Sequence, residues 1–220
     1  MNRDWSFLGP ILLEALGDTL YMVSVSLLVG GLAGLAIGLG LYVTRSGNLL
    51  ANAPVFAVLN LLVNIVRPIP FIIFLAAMQP VTREVMGTTL GTTAVIFPMS
   101  IVAAFAFSRI VEQNLVALDP GVIEAARAMG ASRLRIVWSV LIPEALAPLV
   151  LGYTFLFVGI VDMSAMAGLV GGGGLGDFAI RYGYQKFNNE VTLVTLVVII
   201  VIVQLAQLLG NRLARKALHR

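Results

Sequence analysis

The residues that first suggest chemistry are Gly171, Gly172, Gly173 and Gly174, followed by Leu175 and Gly176, because a glycine run can fold its backbone amides around a phosphate. Nucleotide loops of that kind end in Gly-Lys-Ser/Thr, and this run does not. It is expected to form a tight or re-entrant turn, in backbone conformations that a side chain would forbid. Other candidates are sparse. The single histidine, His219, lies in a basic tail, there is no cysteine, and neither His-x-x-x-His nor Gly-x-Ser-x-Gly occurs. Glu112, Glu144 and Asp162 stand apart along the chain, without the clustered partners that acid–base work needs, and for Glu112 and Glu144 the reading is a loop or interface charge. Metal, thiol or hydrolytic catalysis has no visible constellation, so an enzyme is not expected.

The elements that must carry these residues are apolar. Hydrophobic residues fill 59% of the 220 positions and charged residues 11%, far below the ~25% charged of soluble domains. A helix crosses the ~30 Å hydrocarbon core in about 20 residues. Five segments qualify, at about 19–43, 55–78, 89–111, 146–166 and 191–211. No polar insertion divides them, so 1–220 reads as a single transmembrane domain of the all-α class. In the first segment Tyr21 and Tyr42 are separated by about 31 Å of helix, which suits two interface aromatics, while Gly30, Gly34 and Gly38 form a ridge for close helix approach.

Lys and Arg set the orientation. With the N-terminus outside, the cytoplasmic side holds Arg45, Arg109, Arg127, Arg133, Arg135, Arg212, Arg215, Lys216 and Arg220. The outside holds Arg3, Arg83, Arg181 and Lys186. With Arg67 set aside as an intramembrane candidate, nine against four favours N-terminus out and C-terminus in, with five spans placing the termini on opposite sides. Because the basic residues lie between apolar segments rather than in a basic domain, nucleic acid is not an expected partner.

Two spans are expected to be interrupted. The second holds Arg67, Pro68, Ile69 and Pro70, and the third holds Pro98. Broken helices survive in lipid where freed carbonyls face protein or a watery cavity, which points to a pathway. A plain kink, or a span end beside a snorkelling arginine, explains Arg67 equally well.

Between the third and fourth segments, about 119–143, lies the most informative loop. Asp119 can cap a short helix, Pro120 suits its first position and Gly130 can end it. A second helix should run from Ser132 to Leu141, with Pro143 marking where the fourth span begins. The alanines at 125, 126 and 128 leave a slim helix suited to a partner's groove, and Arg127, Arg133 and Arg135 add charged contacts.

Glu124-Ala125-Ala126, three residues, Gly130, nine residues, Val140, one residue, Ile142-Pro143 resembles the "EAA" loop of ABC-importer permeases. The resemblance extends over nearly the whole chain and is closest to the methionine-importer permeases. It is carried by Leu41-Tyr42-Val43-Thr44-Arg45, Arg67-Pro68-Ile69-Pro70-Phe71-Ile72, Ser164-Ala165-Met166, Gly173-Gly174-Leu175-Gly176 and Tyr182-Gly183-Tyr184. It implies a bacterial inner-membrane permease working as a homodimer around an alternating-access pathway. Glu124, Ala125, Ala126, Arg127, Gly130 and Pro143 would couple to two ABC ATPase subunits, which use ATP and Mg2+, whereas this chain itself carries no cofactor. A substrate-binding protein would dock outside, and membrane lipid surrounds the bundle. The resemblance also makes Met166 part of an outer gate, beside Met163, Ser164 and Asp162, although simple helix packing accounts for a methionine as readily. At Asp162-Met163 the sequence departs from the Gly-Tyr of methionine permeases. Asp162 can face a water-filled vestibule or snorkel at the surface. Several of the stretches that carry the resemblance are shared with permeases for other small solutes, so such a permease is the first alternative; a membrane-embedded enzyme and a passive channel, which would need no docking elbow, are the others.

Overall fold

A computed structural model describes residues 5–218, and all the regular secondary structure among them is helical. Arg3, His219 and Arg220 lie outside the described residues. Ten α-helices follow in order: α1 Trp5–Thr44, α2 Ala53–Val66, α3 Phe71–Ala77, α4 Gln79–Met86, α5 Thr92–Val116, α6 Pro120–Ala128, α7 Arg133–Ile136, α8 Ile142–Gly168, α9 Gly174–Phe178 and α10 Asn189–Leu218. Two wide π turns join them, Val137–Leu141 between α7 and α8 and Ala179–Tyr184 after α9.

The central packing is α1 against α5. A Cβ on Gly30 would meet Ala103 at 2.5 Å, one on Gly34 the Ala104 carbonyl at 2.7 Å, and one on Gly38 Val111 at 2.5 Å. The expected glycine ridge is therefore a seam between two backbones. A second small-residue approach sets α8 on α1, where Gly31 receives the Tyr153 ring and the Tyr153 hydroxyl donates to the Leu27 carbonyl at 2.8 Å. Gly210 of α10 in turn lies against Thr154 of α8.

The structure corrects several sequence-based boundaries. The helix of the first span starts at Trp5, not near residue 19, and its 40 residues reach about 60 Å, roughly twice the hydrocarbon thickness. Its first turns are held by tertiary contacts invisible to a hydropathy window. Leu8 and Ala15 join Leu175, Phe178 and Val191 in a second apolar cluster, and the Trp5 indole donates to Glu190 at 2.8 Å.

The segment 55–78 is no straight crossing, because α2 and α3 meet at 106° across Arg67–Pro70. Pro68 and Pro70 have no backbone donors to continue the helical ladder, so the turn falls where expected: Arg67 still has helical backbone, and the chain is extended at Pro70, with ψ 131°. Among the described residues four helical stretches are long and apolar enough to cross a membrane, or five if this bent pair counts as one span. The interruption expected at Pro98 does not occur: α5 runs unbroken through it, and Pro98 is buried. In the turn beside it, Ser100 and Ser26 both direct their hydroxyls to the Ile96 carbonyl, at 2.7 and 3.5 Å. Packed neighbours and serine hydroxyls of this kind are what let membrane helices tolerate proline.

Nor does the second elbow helix stop at Pro143. It widens into the π turn, where the Ile142 amide reaches back to the Val137 carbonyl, and continues through Pro143 into α8. The wider turn resets the hydrogen-bond ladder one residue before the proline that cannot donate. α5 also continues to Val116, so Arg109 and Glu112 lie inside it rather than in a loop.

Replacing Gly34 by Val should lower the thermal midpoint of the detergent-solubilised protein, by an amount matching about 1–3 kcal/mol of overpacking. Gly17→Ala, whose new Cβ meets nothing within 4 Å, should leave it unchanged or slightly raised. Circular-dichroism melts of the two variants make the comparison.

Candidate functional site

The elbow is built by local chemistry at both ends of α6. The Asp119 carboxylate accepts from the Gly121 amide at 2.8 Å, and Pro120, which has no donor to satisfy, opens the helix. At the other end Gly130 has φ +79°, its amide donates to Arg127 O at 2.9 Å and the next amide, of Ala131, donates to Ala126 O at 3.1 Å. These are the paired bonds of a Schellman motif, which closes a helix around a left-handed residue. The Ser132 hydroxyl then caps α7 by accepting from the Arg135 amide at 3.4 Å.

One face of α6 belongs to the body. Ala126 is buried in the main core with Leu115 of α5 and Ile136 of α7, and Ile123 packs at the edge. The opposite face exposes Glu124, Ala125, Arg127, Ala128 and Gly130. Sequence reasoning missed the apolar residues at this tip: Met129 is 82% exposed, with Leu134 and Trp138 also exposed farther along. Met and Trp are side chains of the kind that fill a partner's pocket at protein interfaces. Their signal in the sequence was bulk: Met129, Leu134 and Trp138 are large apolar side chains beside the small alanines at 125, 126 and 128.

A polar recess of about 230 Å³ lies where the elbow meets the loop after α1, lined by Tyr42, Arg45, Asn48, Ile123, Glu124 and Arg127. Asn48 fixes that loop by donating to the Tyr42 carbonyl at 2.6 Å. Pro143 is not part of the elbow surface itself; α7 and the π turn separate it from Gly130, and it sits exposed in the first turn of α8.

The remaining candidates divide between two places. At the break, Arg67, Pro68 and Pro70 are all exposed. Beyond it Phe71, Phe74 and Leu75 of α3 enter the core that holds Ile160, Val161 and Ala167 of α8, and Met163 and Met166 pack at that core's edge. Ser164 is buried, with its hydroxyl donating to the Val161 carbonyl at 2.7 Å. Asp162 points away from this core: it is exposed, on the same side of α8 as Leu151, Phe155 and Gly159, and forms no ion pair among the described residues.

The glycine run lies at the other end of α8 from the elbow. Gly171, Gly173 and Gly174 have φ of +84°, +76° and +77°, so the expected tight turn is present. Gly172 donates to Ala167 O at 2.9 Å, and Leu175 donates to the Thr19 hydroxyl at 2.8 Å. The Asp18 carboxylate accepts from the Gly174 amide. Gly176 rests on the Ala165 backbone, leaving no room for a Cβ. Every amide named here is spent within the protein, which is the opposite of a phosphate cradle.

The reading of Glu112 as a lone charge is overturned. It is 4% exposed and paired with Arg109. The second Arg109 nitrogen donates to Asn60 and Asn64 of α2, at 3.0 and 2.6 Å. Spacings of three and four residues within helices, Arg109 to Glu112 and Asn60 to Asn64, were the available signal.

A long-helix bundle carrying an exposed, doubly capped elbow is the form of a membrane transport component. Residues 10–219 match the family of binding-protein-dependent transport system inner membrane components, and the chain belongs to it. Among its relatives is the probable D-methionine transport system permease protein MetI of Vibrio cholerae, 43% identical over 96% of this chain and 94% of that protein. The Escherichia coli K12 D-methionine permease MetI is 44% identical over 72% of this chain and 73% of its own length. A chain in the inward-facing MetNI methionine ABC transporter superposes with a TM-score of 0.93, at 42% identity over 99% of both chains. A chain of an amino acid ABC transporter with histidines, at 20% identity and a TM-score of 0.80, shares the fold.

Gly130→Ala should strain the left-handed closure by about 1 kcal/mol without any clash, since nothing lies within 4 Å of the new Cβ. Hydrogen exchange of the α6 amides should quicken several-fold while exchange in α5 is unchanged, a pattern mass spectrometry resolves.

Proposed function

We propose that the chain is the permease subunit of an ATP-driven importer of methionine, working as a homodimer. The observation that carries this reading is the elbow: it presents Glu124, Ala125, Arg127 and Met129 at the surface of a chain that matches a MetNI transporter chain end to end. Two ABC ATPase subunits, using ATP and Mg2+, would each receive one elbow from the cytoplasm, and a substrate-binding protein would deliver the solute from outside. This chain contributes movement and a pathway, with the chemistry of hydrolysis left to its partner.

The whole of 1–220 acts as one transmembrane domain in the bacterial inner membrane, with the α2–α3 pair counted as a fifth span, the N-terminus outside and the C-terminus inside. The charge bias supports this orientation. It places the elbow in the cytoplasm and the glycine turn outside, at opposite ends of α8. Closure of the ATPases would displace Glu124 to Gly130, and α7, the π turn and α8 would carry the displacement toward Met163, Ser164 and Met166. Pro143, in the first turn of α8, lies on that line. Arg67, Pro68 and Pro70 supply the break around which the α2–α3 pair moves, and the outer glycine turn, Gly171 to Gly174 with Gly176, keeps its end of α8 fixed to α1. Asp162, where this sequence departs from methionine permeases, faces the water of the outer vestibule, because a carboxylate turned to hydrocarbon would be costly.

Uptake of radiolabelled L-methionine into vesicles holding the permease, its ATPase and its binding protein should require ATP, and Gly130→Asp should abolish it. Uptake that persists without ATP would mean a passive pathway. ATP hydrolysis without methionine uptake would keep the importer and redirect the substrate search to Asp162. Orientation is checked separately: since the chain has no cysteine, single cysteines at Met129 and Val170 should react with an impermeant maleimide only from the cytoplasmic and the outer side, respectively.

A further inference from the structure

The four-residue cluster around Arg109 has no part in the scheme above, yet it is the most elaborate polar contact between described helices. Arg109 sits in α5 seven residues before its end. One guanidinium nitrogen donates to the Glu112 carboxylate and the other to the side-chain oxygens of Asn60 and Asn64, one turn apart on α2. The ion-paired side chains are 16% and 5% exposed. Arg109 and Glu112 cancel in charge, and the asparagine oxygens use the donors that Glu112 leaves free.

α2 has little else to hold it to α5. Of its 14 residues only Val63 is buried, and Val55, Val58, Leu61, Leu62 and Ile65 are exposed. α5, by contrast, is bound to the elbow. Three residues connect Val116 to Pro120, and Val111 and Leu115 share the core with Ala126 of α6. Resting on the importer reading, we propose that Arg109 is a positioning residue for transport: with Glu112, Asn60 and Asn64 it clamps α2 to the elbow-bearing end of α5, so that a push on the elbow also moves the Arg67–Pro70 break. Pulling α2 away would take both asparagine acceptors, half-buried Asn60 and exposed Asn64, from a guanidinium that is itself 16% exposed, so the two helices move as one body. The planar fork is essential, because a lysine ammonium on a flexible stem cannot hold a carboxylate and two asparagines together.

The test uses the complete transporter, permease with ATPase and binding protein, in liposomes, and reads methionine taken up per ATP hydrolysed. Asn60→Leu/Asn64→Leu removes the acceptors while leaving Arg109–Glu112 intact. The complex should assemble normally and hydrolyse ATP within about two-fold of wild type, while uptake per ATP falls at least about five-fold. Arg109→Lys should behave alike, and Asn64→Asp, which keeps an acceptor oxygen, should retain most of the ratio. An unchanged ratio, or uptake and hydrolysis falling in proportion, would overturn the clamp. If the asparagine pair fails to assemble, Arg109→Lys decides by the same criteria. A wild-type complex that hydrolyses ATP but takes up no methionine would fault the substrate reading instead. The clamp is then judged by pulsed EPR between nitroxides on Leu62→Cys and Val116→Cys in one protomer of the dimer. Their separation should stay constant across nucleotide states in the parent chain and broaden in the asparagine variant; broadening in both overturns the proposal.

Discussion

The rest of the structure depends on how closely α1 approaches α5. Lipid supplies no hydrophobic force between two helices, so their association rests on van der Waals contact and interhelical hydrogen bonds. At Gly30, Gly34 and Gly38 the backbones come so near that a methyl group would overlap Ala103, the Ala104 carbonyl or Val111. Once α1 is fixed there, its other contacts follow. Leu27 offers its carbonyl to Tyr153 of α8, Thr19 accepts the amide of Leu175, and Asp18 accepts that of Gly174. One seam of glycines thus registers α5, α8 and the glycine turn against a single helix.

A second constraint decides where the chain can leave regular helix. Backbone groups have no water to turn to inside a bilayer, so irregular backbone is tolerated only where protein or a watery space satisfies it. The glycine turn meets this demand with internal acceptors, including the Gly91 amide bonded to Gly171 O at 2.9 Å. The two π turns keep a helical ladder while shifting its register. The α2–α3 break lies beside α3 side chains that are buried in the core, although Arg67 and both prolines remain exposed. Breaks and core are adjacent because each break needs a packed surface to hold its two halves at an angle.

What could be read in the sequence was the chemistry that acts over a few residues. Asp119, Pro120 and Gly130 delimit α6 because caps and left-handed closures are settled by neighbours in the chain, and the glycine ridge shows through its four-residue period. The apolar segments were legible for the same reason, each being a property of a 20-residue window. Where the reading went astray, a distant partner had decided the matter. The first turns of α1 are held by α9 and α10, Pro98 is absorbed by packing and serine hydroxyls, and Glu112 is paired with Arg109, which itself reaches asparagines on a helix nearly 50 positions earlier. Local pattern shows the i,i+3 spacing of Arg109 and Glu112, but not which other helix stands against them. The candidate gate shows the same limit, since the register of Met163 and Met166 on α8 could be counted, but not which side of α8 would be covered.

That uncovered side bears on how two copies would meet. Leu151, Phe155, Gly159 and Asp162 form an exposed stripe on α8, while Ile160, Val161 and Ser164 face inward. A surface turned to lipid should be uniformly apolar, and a carboxylate on it would draw in water or thin the bilayer around it. A surface lining a space between two protomers has no such requirement, since water reaches the carboxylate there and Phe155 can close against its counterpart when the pathway narrows. The stripe therefore fits the inner wall of a homodimer better than its outer skin. On that reading the α1–α5 seam and the Arg109 clamp lie behind the wall, bracing a helix that leaves Leu151, Phe155 and Asp162 exposed in the single chain.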